Sequence, residues 1–282
     1  MKIRLAEEKI FKVLMLISAF IIISVVGYIL FTIVSKGIGS LNWDMVSKLP
    51  GGGFYLGKEG GVFNAIIGSF YLVIGAVIIS LLFSIPVTMY INFYIPKNSF
   101  FAKTVRFSFD ILFGIPSIVY GAFGFAVMIY FGLKASLFGG IVVVGMLITP
   151  VIMRSLDEIA RYVPKELVEA PLSLGATRYE MVKIVLRQLM PGITTAVLLA
   201  IGRGIGDAAI VLFTAGYTDN IPTSLSHPTA TLPLAIFFQL GSPIEEVQNR
   251  AYASALILTI IILILSLSAR FFSKKLSKNK VK

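Results

Sequence analysis

The string Gly202-Arg203-Gly204-Ile205-Gly206-Asp207 sets a permanently charged guanidinium and a carboxylate four residues apart, inside an apolar stretch from Pro191 to Ala215. Residues i and i+4 of a helix share a face, so the spacing predicts that Asp207 partly neutralises Arg203. A cation near the centre of a bilayer costs roughly 2.5–3.5 kcal/mol on insertion scales before any compensation. The three glycines are expected to leave a slim face that another backbone or a ligand can approach closely. Two readings of the pair stand side by side. It is a salt bridge that fixes helix packing, or it is an oxyanion site, because a planar guanidinium grips an oxyanion through two parallel hydrogen bonds.

A second stretch with chemistry in it runs from Arg154 to Arg187 and is not loop-like in composition. Pro164 suits the first position of a helix, and acidic Glu166 follows early, where the helix dipole favours negative charge. Pro171 is expected to end that helix soon afterwards. Gly175 permits a sharp turn, and Thr177 can cap the next helix with Glu180 as its capping-box partner. The expectation is two short helices meeting at an angle. They form either an amphipathic connector on the membrane surface or a docking element for a cytosolic partner.

Other chemical signals fade on inspection. Gly52 to Lys58 nearly spells a phosphate-binding loop, but Glu59 stands where Ser or Thr should hold magnesium. Glycines 202, 204 and 206 follow no strand and make no dinucleotide fingerprint. His227 is the only histidine, and a hydrogen bond within its loop is its simplest use. Asp110 is read as the partner of Arg106 one turn earlier, with a gating role as the alternative. With no cysteine, disulfides and thiolate metal sites are excluded.

The elements that must position these residues follow from hydropathy. Of 282 residues, 57% are hydrophobic and 14% charged, against about 25% charged in a soluble domain. Lipid is the solvent that fits such a surface. Six stretches of about span length occur, at 13–34, 64–91, 107–131, 137–153, 191–215 and 252–272, so the chain reads as one all-α transmembrane domain over 1–282. The first is longer than the core of a signal peptide and is expected to remain as an anchor. Trp43, in the connection 35–63, suits a place at the membrane interface.

Nineteen of the 25 Lys and Arg fall on one side of this arrangement. They are Lys2, Arg4, Lys9 and Lys12, then Lys97, Lys103 and Arg106, then six from Arg154 to Arg187 and six from Arg270 to Lys282. The other side holds Lys36, Lys48, Lys58, Lys134 and Arg250. The positive-inside rule then predicts a multi-pass protein of the cytoplasmic membrane with both termini inside. The net charge of +11 is thereby a topology signal, with a contribution from anionic lipid, and calls for no nucleic acid.

On these residues the chain resembles a known family. Glu169-Ala170-Pro171-Leu172-Ser173-Leu174-Gly175 is similar to the EAA loop of ABC importer permeases, whose pattern is E-A-A, three residues, then G. Glu169, Ala170 and Gly175 match; Pro171 replaces the second alanine, and the proline that follows in the family is absent at Gln188, with Pro191 a turn later. Gly114-Ile115-Pro116-Ser117-Ile118-Val119-Tyr120-Gly121, Leu212-Phe213-Thr214-Ala215 and Thr231-Leu232-Pro233-Leu234-Ala235-Ile236-Phe237 resemble the permeases of phosphate importers. So does Arg203 with an acidic residue four positions on, which is typically Glu in that family. Taken alone, Pro116 and Gly121 read as an ordinary kinked and closely packed helix.

The resemblance covers the chain from about residue 60 onward. It implies the type I ABC importer permease fold, with Glu166, Glu169, Ala170 and Gly175 coupling to an ABC ATPase dimer and Arg203 and Asp207 lining a substrate pathway. It implies a second, PstC-like permease subunit and an extracytoplasmic phosphate-binding protein, with ATP and magnesium held by the ATPase. The chain itself is then a permease and not an enzyme. Alternatives are a permease for molybdate, tungstate or sulfate, the PstC-type subunit itself, or, from other classes, a secondary transporter or an intramembrane enzyme. A secondary transporter leaves the 154–187 stretch unexplained. An enzyme would need a nucleophile or metal constellation, and the spans hold no His or Cys.

Overall fold

The computed structural model describes residues 2–51, 59–96 and 98–277. The glycine-rich run 52–58, with its near-phosphate-loop pattern, lies outside the described residues, as do Lys97 and the last five residues of the tail. Eleven α-helices are described, with one short hairpin. In chain order these are α1 (Lys2–Gly37), α2 (Trp43–Ser47), β1 (Pro50–Gly51), β2 (Glu59–Gly60), α3 (Phe63–Met89) and α4 (Phe100–Gly114). Then follow α5 (Ser117–Tyr130), α6 (Leu137–Arg161), α7 (Glu166–Ser173), α8 (Arg178–Ile205), α9 (Ala209–Thr214), α10 (Leu232–Leu240) and α11 (Glu245–Ser277). The strands pair antiparallel, Pro50 opposite Gly60.

Among the described residues five helices are long and apolar enough to cross a membrane: α1, α3 with the π-helical turn Tyr90–Tyr94 that extends it, α6, α8 and α11. The sixth candidate corrects the unbroken span expected at 107–131. It is the pair α4 and α5, bent by 100° at Ile115-Pro116. The residue before a proline is pushed out of helical space, and Ile115 accordingly takes φ −72°, ψ 130°. The Tyr120 hydroxyl donates to the Leu112 carbonyl at 2.8 Å and ties the two sides of the elbow together. Gly121 packs closely against α9, where an added Cβ would stand 3.0 Å from the Ala209 carbonyl oxygen.

The core forms around α6, which packs against α3, α4, α5, α8 and α9. The face of α3 toward it carries small and hydroxyl side chains, Ala76, Ser80, Ser84 and Thr88, all buried. Such residues let membrane helices approach closely, and Ser84 and Thr88 donate across to the Thr149 carbonyl and the Met153 sulfur. By contrast α1 exposes Phe20, Ile23 and Phe31 and meets the rest of the fold at its last turn, where Gly37 abuts the Tyr252 backbone. In lipid an exposed apolar helix is the stable state, since its backbone is satisfied internally.

The connections gather at two ends. At one, Ser136 and Leu137 donate to the Thr214 and His227 carbonyls, and Leu232 donates to the Ser69 hydroxyl. His227 also meets Thr223, a hydrogen bond within its loop. Burial holds the nearby Tyr217 phenol neutral, its pKa pushed up to about 12, with Asp219 adding to the rise. At the other end, Arg178 donates to the Tyr94 carbonyl, and Asp157 binds Arg106, Arg161 and Asn92. The described connections assigned to one side by charge therefore share one end.

The candidate pathway and coupling sites

The helices at the Asp157 end differ from the sequence expectation. The helix that carries the fourth stretch, expected over 137–153, runs on as α6 to Arg161. Pro171 does not end α7, which runs on to Ser173 and forgoes only the one intrahelical bond that Pro171 would donate. Gly175, at φ +84°, closes the helix in a Schellman motif, its N–H reaching the Leu172 carbonyl and that of Ala176 reaching Pro171. The Thr177–Glu180 capping box forms, but the helix it opens is α8 itself. The second helix expected in the 154–187 stretch and the fifth span are thus one continuous helix of 28 residues, while α7 remains a separate short helix.

Glu166, Glu169, Ala170 and Gly175 are all solvent-facing, while Val168 turns into the main core. Leu174 beside them is 89% exposed and Tyr179 71%. Sequence reading passed over this apolar pair, although a leucine bordering Gly175 at a helix end was a visible signal.

Arg203 sits in the last turn of α8. Its neighbour Gly204 packs against Val73, Val144 and Ile148, residues seven to eleven positions into α6 or ten into α3. At 1.5 Å per residue this places Arg203 roughly 10–17 Å below the end of the bundle, near half the depth of a 30 Å hydrocarbon layer. The shared helical face with Asp207 is absent. α8 ends at Ile205, and the Asp207 carboxylate instead caps α9 by accepting from Ile210 N–H at 2.8 Å. Among the described residues Arg203 has no carboxylate partner. It rests on an aromatic face, with Cζ 5.1 Å from the Phe113 ring centroid. Of the three glycines only Gly204 serves close packing; Gly202 faces open space.

Asp110 also needs correcting. Arg106 is claimed by Asp157, with Nε 3.0 Å from Oδ2 and Nη2 3.1 Å from Oδ1, and Asp110 approaches Arg154 instead at 4.0 Å. The i+4 pair of Asp157 with Arg161, at 2.6 Å, was readable from spacing; Asn92 and Arg106 converge on it from far along the chain.

Fold and site thus describe a polytopic membrane protein with an uncompensated mid-depth cation and an exposed helix at one end. The family described as binding-protein-dependent transport system inner membrane component matches residues 84–280, and the chain belongs to it. The chain is 34% identical over 250 residues to the phosphate transport system permease protein PstA of Yersinia pestis, covering 88% of this chain and 84% of that protein. The PstA protein of Pasteurella multocida is 33% identical over 253 residues, covering 89% of each. Two inward-facing structures of the MetNI methionine ABC transporter superpose with TM-scores of 0.58 and 0.60 at 18% and 16% identity, over 77% and 76% of this chain and 94% and 95% of theirs. The fold is that of a type I ABC importer permease.

Proposed function

We propose that this chain is the PstA-like half of the pathway in an ATP-driven importer of inorganic phosphate. The observation that carries this reading is Arg203, a half-buried guanidinium at mid-depth whose charge no carboxylate among the described residues neutralises. A cation so placed is costly to hold in lipid and is most simply explained by an anion that it serves. The names of the relatives supply phosphate as that anion. A PstC-like subunit completes the pathway, a binding protein delivers phosphate to the end holding α10, and α7 docks on an ABC ATPase that binds ATP and magnesium. The excess of Lys and Arg assigns the α7 end to the cytoplasm, with both termini there.

The test is ATP-dependent accumulation of labelled phosphate in vesicles holding this chain with its three partner components. Accumulation that phosphate dilutes and molybdate, tungstate and sulfate do not is expected. Accumulation of one of those oxyanions instead would replace the substrate, and recovery of no ATPase with the tagged chain in mild detergent would end the importer reading. Glu169→Lys reverses the charge at an exposed position of α7 and is expected to weaken ATPase recovery roughly tenfold or more. Unchanged recovery would remove Glu169 from the interface.

A further inference from the structure

Phe113 touches two cations. Its ring centroid lies 5.1 Å from Cζ of Arg203 and 5.3 Å from Cζ of Arg154. Like charges brought to one ring repel, and the electron-rich faces of the ring partly offset this. An oxyanion, which offers charge-assisted hydrogen bonds to a guanidinium, is the stronger partner for either. Arg154 is also less committed than Arg106 and Arg161, which both bind Asp157. Its side chain is 61% exposed, and Asp110 approaches it only at 4.0 Å, beyond hydrogen-bonding distance.

Arg154 borders a cavity of about 510 Å³ whose other charged lining residues are Arg106, Arg161, Asp110, Asp157 and Glu158. Asp157 is engaged by Arg106 and Arg161. Phe113 itself is the penultimate residue of α4, directly before the 100° elbow, and a Cβ on the adjacent Gly114 would meet no atom within 4 Å. The ring is thus carried at a bend and is itself 38% exposed.

We propose that Arg154 is a second oxyanion subsite, on the α7 side of Arg203, and that Phe113 is the aromatic partition between the two. This rests on the oxyanion pathway assigned to Arg203. An anion leaving Arg203 displaces the ring from Arg154, is held there through the guanidinium, and passes into the cavity. Asp110 competes for the same guanidinium and keeps this hold weak, as an exit requires.

The experiment uses the complete importer in vesicles, with phosphate as probe, comparing wild type, Arg154→Gln, Arg154→Lys, Phe113→Ala and Arg203→Gln. Arg154→Gln is expected to lower the maximal uptake rate roughly tenfold or more with half-saturation and ATPase recovery unchanged, and Arg154→Lys to restore part of it. Phe113→Ala is expected to let phosphate leak, without ATP, several-fold faster from loaded vesicles. Wild-type maximal uptake in Arg154→Gln overturns the subsite, and so does loss of the assembled complex, which would make Arg154 structural. No added leak in Phe113→Ala overturns the partition. If wild type takes up no phosphate, or Arg203→Gln takes it up normally, the underlying function fails instead of the subsite.

Discussion

Arg203→Gln is expected to reduce phosphate uptake by roughly a hundredfold or more, equivalent to about 3 kcal/mol of lost anion stabilisation, while leaving the assembled complex intact. The two readings of this residue predict opposite changes in stability. A packing salt bridge, once broken, leaves a buried charge uncompensated and lowers the melting temperature. In the structure Asp207 caps α9 and does not pair with Arg203, so the substitution removes a charge that no carboxylate among the described residues compensates, and forfeits its contact to Phe113. The purified variant should melt at or above the wild-type temperature in detergent. A clear fall in melting temperature with uptake retained would return Arg203 to a structural role.

The second large effect is expected at Asp157, whose side chain is 12% exposed and receives Arg106, Arg161 and Asn92. Removing one partner from a buried charge network costs roughly 3–5 kcal/mol, because the remaining charges stay desolvated. Part of Arg161 reaches solvent, so the lower end of that range applies to Asp157→Ala. The loss falls on a junction: Asn92 belongs to the π-helical turn, Arg106 to α4, Arg161 to the end of α6. Asp157→Ala should therefore melt well below wild type, with protease cutting between Tyr94 and Phe100 appearing first. Asp157→Asn, which keeps one acceptor, should fall between. An unchanged melting temperature in Asp157→Ala would show that the network contributes nothing net.

Features set by near neighbours were legible in the sequence, and those set by distant ones were not. Spans were legible because lipid demands apolar length, and the Thr177 capping box because its partners lie three residues apart. The turn at Gly175 was legible for the same reason. The elbow at Ile115-Pro116 was not, since both sides are equally apolar and hydropathy registers no direction. Only the proline's restraint on the residue before it signalled the break, and a kink was the milder outcome of that restraint. The Arg203–Asp207 spacing promised a pair only if the helix continued, and α8 stops between them. Arg106 had a near acid at Asp110 and a distant one at Asp157, and the fold chose the distant one. Glu169 and Arg203 stood out in the sequence by motif and by apolar context; the folded chain adds that Glu169 is exposed and that no carboxylate among the described residues meets Arg203.

One consequence follows from the continuity of α8. A helix of 28 residues is roughly 40 Å long and stiff. Thr177 caps one extremity beside α7, and Arg203 rides on the other. Such an element is a lever arm: pivoting it by about 5° at Thr177 sweeps the guanidinium sideways by roughly 3.4 Å, a little more than the length of a hydrogen bond. A nudge at the surface helix would then be enough to make or break the grip on an anion, with no intermediate joint to absorb the motion except the missing backbone donor at Pro191.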